Sequence, residues 1–178
     1  MTTEILLAGF GGQGILFAGK QLAKTAMHMG KSVSWLPSYG PEMRGGSANC
    51  SVIISDTEIG SPIINRPDIL IVLNLPSYTK FEPKIKPGGM LLANSTLVPD
   101  VSSRTDIKSI YIPASALASD NGLDGGANVI ILGCLLKHTD LFDYDEFVNL
   151  MVEGIPASKA NLIENNKKAL RIGYDYNA

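Results

Sequence analysis

Apolar and polar positions along this chain fall into short alternating or continuous runs separated by longer stretches of helical spacing. Glu4–Gly9, with Ile5-Leu6-Leu7-Ala8 inside it, predicts a first strand. Ile15, Ala18, Leu22, Ala26 and Met29 then share one face while Lys20 and Lys24 fall on another, which predicts a helix over 15–29 closed by Gly30. Ser32–Leu36 predicts the next strand, ending at Pro37. A strand–helix–strand unit of this kind normally sets its strands parallel with a right-handed crossover. From Ser47 to Ser55 the pattern alternates, Ala48, Cys50, Val52 and Ile54 against Ser47, Asn49, Ser51 and Ser55. That predicts an antiparallel hairpin with one solvated face, Asp56-Thr57-Glu58 as its turn and Ile59 opening a short return strand.

The continuous run Ile69-Leu70-Ile71-Val72-Leu73 predicts a strand covered on both faces, followed by a short helix over 77–82. Lys86-Pro87-Gly88-Gly89 reads as a turn into Met90-Leu91-Leu92-Ala93, and Ile110-Tyr111-Ile112 as a last strand ended by Pro113. Beyond it the pattern is helical. A short helix spans 114–119, and Asn128–Lys137 is apolar nearly all round and therefore buried. Asp143 caps a helix over 144–152, and Ser158 caps a final one to about Ile172, striped by Leu162, Ile163, Leu170 and Ile172. The expected fold class is α/β: three layers, a mainly parallel Rossmann-like sheet, one antiparallel excursion and a helical C-terminus over about 128–172, all in one domain spanning 1–178.

Composition narrows the function. Of 178 residues, 45% are hydrophobic and 18% charged, which suits a globular protein with a sizeable core. The net charge of −2 argues against a nucleic-acid binder. No apolar run approaches the roughly 20 residues that cross a bilayer. The first residues lack the basic start and apolar core of a secretion signal, so a cytoplasmic location is expected. The two cysteines, Cys50 and Cys134, lie too far apart for a cluster motif and are expected to be buried.

Two glycine-rich loops carry the candidate chemistry. Gly9-Phe10-Gly11-Gly12-Gln13-Gly14 follows a strand and opens a helix, the context of a phosphate-cradling turn. The acid expected about 20 residues further on to bind a ribose is missing, and there is no G-K-[ST] ending. The run therefore reads as an anion-binding or interface loop, or as a plain strand-to-helix connection. The second loop, Tyr39-Gly40-Pro41-Glu42-Met43-Arg44-Gly45-Gly46, carries Glu42 and Arg44. Arg44 presents a guanidinium to a carboxylate or phosphate, or pairs internally with Glu42. His28 and His138 sit near helix C-termini, where dipole and solvent contact explain them. Asn128 is expected to cap its helix rather than contact a ligand. No acid–base pair, nucleophile or metal cluster stands out. Ligand-facing loops without reactive groups fit either a part of a larger enzyme or a free-standing nucleotide-binding regulatory module.

Gly9-Phe10-Gly11-Gly12-Gln13-Gly14-Ile15, the Ala18-Gly19 helix, Tyr39–Gly46, Pro67-Asp68-Ile69-Leu70, Lys86–Gly89 and the Asn128 helix together resemble the gamma subunits of the 2-oxoacid:ferredoxin oxidoreductases, over most of the chain to about residue 170. The resemblance implies a multi-subunit enzyme that converts a 2-oxoacid, with 2-oxoglutarate favoured, and CoA into an acyl-CoA with ferredoxin reduction. It implies no cofactor in this chain. Thiamine diphosphate, magnesium and iron–sulfur clusters are implied in alpha and beta subunits, in some members with a delta subunit, and CoA as co-substrate. The isolated chain is then expected to be inactive and to form a homodimer, with no nucleic-acid or membrane partner. Mapped onto this sequence, Gly9, Gly11, Gly12, Gln13, Gly14, Tyr39, Glu42, Arg44, Gly45 and Gly46 are the candidates for phosphate, CoA or subunit contact.

Overall fold

The computed structural model describes residues 1–39, 47–153 and 155–177. Six strands form one sheet: β1 (Thr2–Phe10), β2 (Ser32–Tyr39), β3 (Ser47–Ser55), β4 (Ile69–Val72), β5 (Met90–Asn94) and β6 (Lys108–Ile112). The helices are α1 (Ile15–His28), α2 (Leu75–Phe81), α3 (Ala114–Asp120), α4 (Ala127–His138), α5 (Tyr144–Val152) and α6 (Ala160–Asp175). The strand order is β2-β3-β1-β4-β5-β6. From β1 to β6 the pairs are parallel, and β3 runs antiparallel to both of its neighbours. The α/β class with its antiparallel excursion is therefore as expected.

The placement of the excursion is not. β1 and β2 do not pair, because β3 is inserted between them, with Leu7 and Pro37 both opposite Cys50. Ile59 opens no return strand and lies in coil. The polar face of β3 is not simply solvated either. Asn49 and Ser51 are half-buried, and Ser55 is buried, its hydroxyl sharing hydrogen bonds with Thr2 and Thr57. β2 runs through Pro37 rather than stopping there, which an edge strand tolerates because it pairs on one side only.

Alternate residues of the strands feed two cores. Ile5, Leu7, Ile71 and Leu92 pack with Leu22, Ile130, Phe147 and Leu170 on one face. Leu6, Leu70, Val72 and Leu91 pack with Tyr78, Phe81 and Ile85 on the other. Helix α4 is buried at every residue from Asn128 to Leu136, as its all-round apolar pattern requires. It touches α6 at backbone distance, since a side chain at Gly133 would meet the Leu170 carbonyl and one at Gly173 the Ile130 carbonyl. The buried stripe of α6 is accordingly Asn166, Ala169, Leu170 and Gly173, while Leu162 is exposed. Ser158 does not cap α6, which follows a single tight turn over Ala157–Lys159 and has Lys159 at its cap position, with no capping side chain. Asp143 does cap α5, accepting from the Glu146 amide at 3.0 Å. Among the described residues no helix is long and apolar enough to cross a membrane.

Candidate functional site

Helix α1 leaves β1 toward one face of the sheet, where Ile15 and Leu22 are buried, and α2 leaves β4 toward the other, where Tyr78 and Phe81 are buried. Adjacent parallel strands whose helices diverge open a crevice at their carboxyl ends, the usual ligand position in open α/β sheets. The first glycine loop lies there. Gly12 (φ 97°) and Gly14 (φ 74°) occupy left-handed backbone conformations that favour glycine. A Cβ at Gly9 would approach Gln13 Oε1 to 2.7 Å. Gly14 holds the cap position of α1, which has neither a capping side chain nor an acid in its first turn. The N–H groups of that turn are left for an external partner, and the helix dipole favours an anion.

Amide side chains hold the crevice together. Gln13 Oε1 accepts from the Phe10 amide at 2.6 Å and from Asn74 Nδ2 at 3.4 Å, while its Nε2 donates to the Leu73 carbonyl at 3.1 Å. One side chain thereby fastens the loop after β1 to the end of β4. Asn74 also caps α2, its Oδ1 accepting from the Ser77 amide at 2.9 Å. At the end of β5 the fully buried Asn94 donates to Ser115 Oγ at 2.7 Å and accepts from the Ser115 amide at 3.2 Å. Asn128 Nδ2 donates to the Gly14 carbonyl at 3.1 Å. The crevice encloses about 220 Å3, and Gly12, Gln13, Asn94, Ser115, Ser119 and Asp124 line it. Among the described residues no lysine, arginine or histidine does so.

Of the candidates from the sequence, Gly9, Gly11, Gly12, Gln13 and Gly14 belong to this edge of the sheet. The backbone of Tyr39 ends β2 on the same edge, since Ala48 faces both Tyr39 and Gly9 across the ladders. Glu42, Arg44, Gly45 and Gly46 lie outside the described residues. Asn128 is not the cap of its helix, a position that Gly126 fills; its amide reaches α1 instead. Asn74 was legible as a cap, because Asn-Leu-Pro is a helix-start signal. Asn94 and Ser115 carry no local signal, being joined across 21 residues.

The arrangement hydrogen-bonds; among the described residues it supplies no nucleophile activated by a base and no acid–base pair. Burial pushes the Cys50 thiol up to about 12 and that of Cys134 up to about 11, so neither is a thiolate at neutral pH. His28 is exposed and 3.9 Å from Glu153. His138 lies at the far end of α4, its pKa held down by burial and then by Lys108 and Lys137. Among the described residues no group of three or more His, Cys, Asp or Glu is placed to hold a metal ion.

Comparison with known proteins gives a family match over residues 4–176 to "Pyruvate ferredoxin/flavodoxin oxidoreductase". The chain is 35% identical over 173 residues to the ketoisovalerate oxidoreductase subunit VorA of Methanothermobacter marburgensis, covering 97% of this chain and 36% of that protein. It thus spans about a third of the length of that relative. It is 35% identical over 178 residues to the 2-oxoglutarate synthase subunit KorC of Methanocaldococcus jannaschii, covering 98% of this chain and 94% of the relative. The crystal structure of a keto/oxoacid ferredoxin oxidoreductase gamma subunit from Geobacter sulfurreducens superposes with a TM-score of 0.84 at 28% identity, covering 98% and 95% of the two chains.

Proposed function

From the premise that this chain belongs to the pyruvate ferredoxin/flavodoxin oxidoreductase family, whose gamma subunits it resembles in sequence and fold, we propose that it works inside a heteromeric, cytoplasmic 2-oxoacid:ferredoxin oxidoreductase acting on 2-oxoglutarate. One observation carries the choice of substrate. Four of the matching relatives are 2-oxoglutarate synthase subunits, at 31–35% identity, against 28% for a pyruvate synthase subunit.

In this reading the alpha and beta subunits, with a delta subunit where present, carry thiamine diphosphate, magnesium and the iron–sulfur clusters. They perform the decarboxylation and pass electrons to ferredoxin. The crevice fits a contributory role, because apart from the Asp124 carboxylate its described lining offers backbone amides and neutral side chains. The uncapped α1 N-terminus and the open space around Gly12 suit the approach of a phosphate or another anionic group of CoA, or of a partner's loop. At about 220 Å3 the crevice takes a segment of such a ligand, not the whole of CoA. By itself the chain is inactive.

Anaerobic affinity purification of the tagged chain from its host, followed by a CoA-dependent viologen-reduction assay over several 2-oxoacids, tests this. Co-purification with thiamine- and cluster-bearing subunits and a preference for 2-oxoglutarate are expected. Activity on a branched-chain oxoacid or pyruvate alone would move the substrate while keeping the subunit role. A chain without partners or activity would overturn both, and would leave the free-standing nucleotide-binding module to be tested by titration.

A further inference from the structure

Strand β2 ends the sheet, and the ladder fixes which of its backbone groups face outward. The Glu4 and Ala8 carbonyls accept from the Asp68 and Leu73 amides, so even-numbered residues of β1 turn toward β4 and odd-numbered ones toward β3. Leu7 lies opposite Cys50, which therefore faces β1, while Asn49 and Ser51 face β2. Their partners Ser38 and Leu36 take those bonds. The N–H and C=O groups of Val33 and Trp35, and the C=O of Pro37, are left on the open edge. Among the described residues none of these groups has a hydrogen-bond partner.

Edge strands are usually shielded by charge, by a bulge or by a covering element. Ser32–Tyr39 contains no Asp, Glu, Lys or Arg, and its register to β3 is unbroken along the strand. Its one protective residue is Pro37. Apolar side chains flank the edge on both faces of the sheet. Trp35, opposite Val52, stays 37% exposed on the α1 face. Leu36, in line with Ser51 and Leu6, stays 41% exposed on the other. Helix α1 lies directly on this part of the sheet, since a side chain at Gly19 would meet Cys50 Sγ and Trp35 Nε1.

Such a strand is complementary to itself. A second copy running antiparallel, with Trp35 opposite Trp35, gives the longest overlap of the outward groups. Each Trp35 N–H then meets the Trp35 carbonyl of the second copy, and each Val33 N–H meets its Pro37 carbonyl. Only the Val33 carbonyl is left short by the donor that proline lacks. No like charges oppose each other along the strand. An 8-residue seam about 26 Å long, across a sheet and helix layer about 20 Å thick, covers about 1,000 Å2 in total, the size at which specific interfaces begin. We propose that β2 is the interface through which two copies of this chain join, their two six-stranded sheets becoming one about a two-fold axis at Trp35. This inference does not rest on the substrate or the subunit role proposed above.

Sedimentation velocity of the full chain from about 1 to about 300 μM tests it, with fluorescence read in parallel, because Trp35 is the only tryptophan. A reversible dimer with a dissociation constant below about 100 μM is expected, the Trp35 emission moving to shorter wavelength as it forms. Leu36→Glu, at a position already exposed, brings like charges together across the seam and should weaken the dimer at least about tenfold. The double variant Ser34→Cys/Leu36→Cys places thiols opposite each other in the proposed register, and mild oxidation should lock it as a covalent dimer. A chain that stays monomeric to about 300 μM overturns the proposal and leaves the edge to a strand of a different protein. So does a dimer that forms with unchanged Trp35 emission, that tolerates Leu36→Glu, or that the double variant does not lock.

Discussion

Gly14 answers two constraints at once. Its φ of 74° lies in the left-handed region, and a side chain there would run into the amide of Asn128. Gly14→Ala therefore combines backbone strain with a collision against a buried, hydrogen-bonded side chain, and is expected to cost about 2–4 kcal/mol in urea unfolding. A change within the scatter of surface substitutions would show that Asn128 yields easily. Arg44, proposed from its sequence context as a phosphate or carboxylate contact, gives a functional test at the same scale. A charge-assisted hydrogen bond is worth about 1.5–3 kcal/mol, so Arg44→Ala in the assembled enzyme is expected to raise KM for CoA or the 2-oxoacid roughly tenfold or more. Intact assembly with unchanged kinetics would remove Arg44 from the site. The glycines were legible because they sit between a strand and a helix in a fixed spacing. Asn128 was misread as a cap because its true partner is Gly14, 114 residues away, and local pattern carries no information at that range.

Among the elements, α4 and α6 meet by backbone contact at Gly133 and Gly173. Adding even a methyl group at this crossing has to push the helices apart, and overpacking of this kind costs about 1–3 kcal/mol or more. Gly173→Ala is thus expected to lower the thermal midpoint by several degrees, with helical content retained at low temperature. A midpoint equal to the parent's would mean that the helices separate freely. The far end of α4 sets a pH dependence. Burial first, then Lys108 and Lys137, hold His138 below its usual 6.5 in the folded chain. The neutral form is therefore the stabilised one. Its contribution is complete above the unfolded value and is lost as pH falls through the folded one. Stability should decline as pH falls below about 7, and His138→Gln should flatten that slope. The helices and strands themselves were readable from periodicity. The insertion of β3 between β1 and β2 was not, because a strand–helix–strand pattern looks the same whether its strands touch or admit a third. What distinguishes the cases is long-range register, such as Leu7 and Pro37 both opposite Cys50.

For the whole molecule, the C-terminal helices bear directly on whether 1–178 is one cooperative unit. Leu170 and Ala169 of α6 belong to the same apolar core as Ile130 and Leu132 of α4 and as Ile5 and Leu7 of the central strand. Lys24 on α1 holds the carbonyl end of α5. Asn128 ties α4 to the glycine loop itself. Removing α6 would expose the face of α4 around Ile130 and Cys134, both fully buried in the intact chain. Exposed apolar area costs about 25 cal/mol per Å2, and a domain is stable by only about 5–15 kcal/mol, so uncovering one core helix is enough to forfeit the native packing. A chain ending at Lys159 is therefore expected to lose its sharp unfolding transition and bind a hydrophobic dye while keeping much of its far-ultraviolet signal. If it instead melts cooperatively near the parent temperature, the sheet and the C-terminal helices are separable units. The carboxyl-edge crevice would then be set by the sheet alone. If cooperativity is lost, the same helices that fill the core also fix the glycine loop, and a partner docking on α6 gains a direct mechanical route to it through α4 and Asn128.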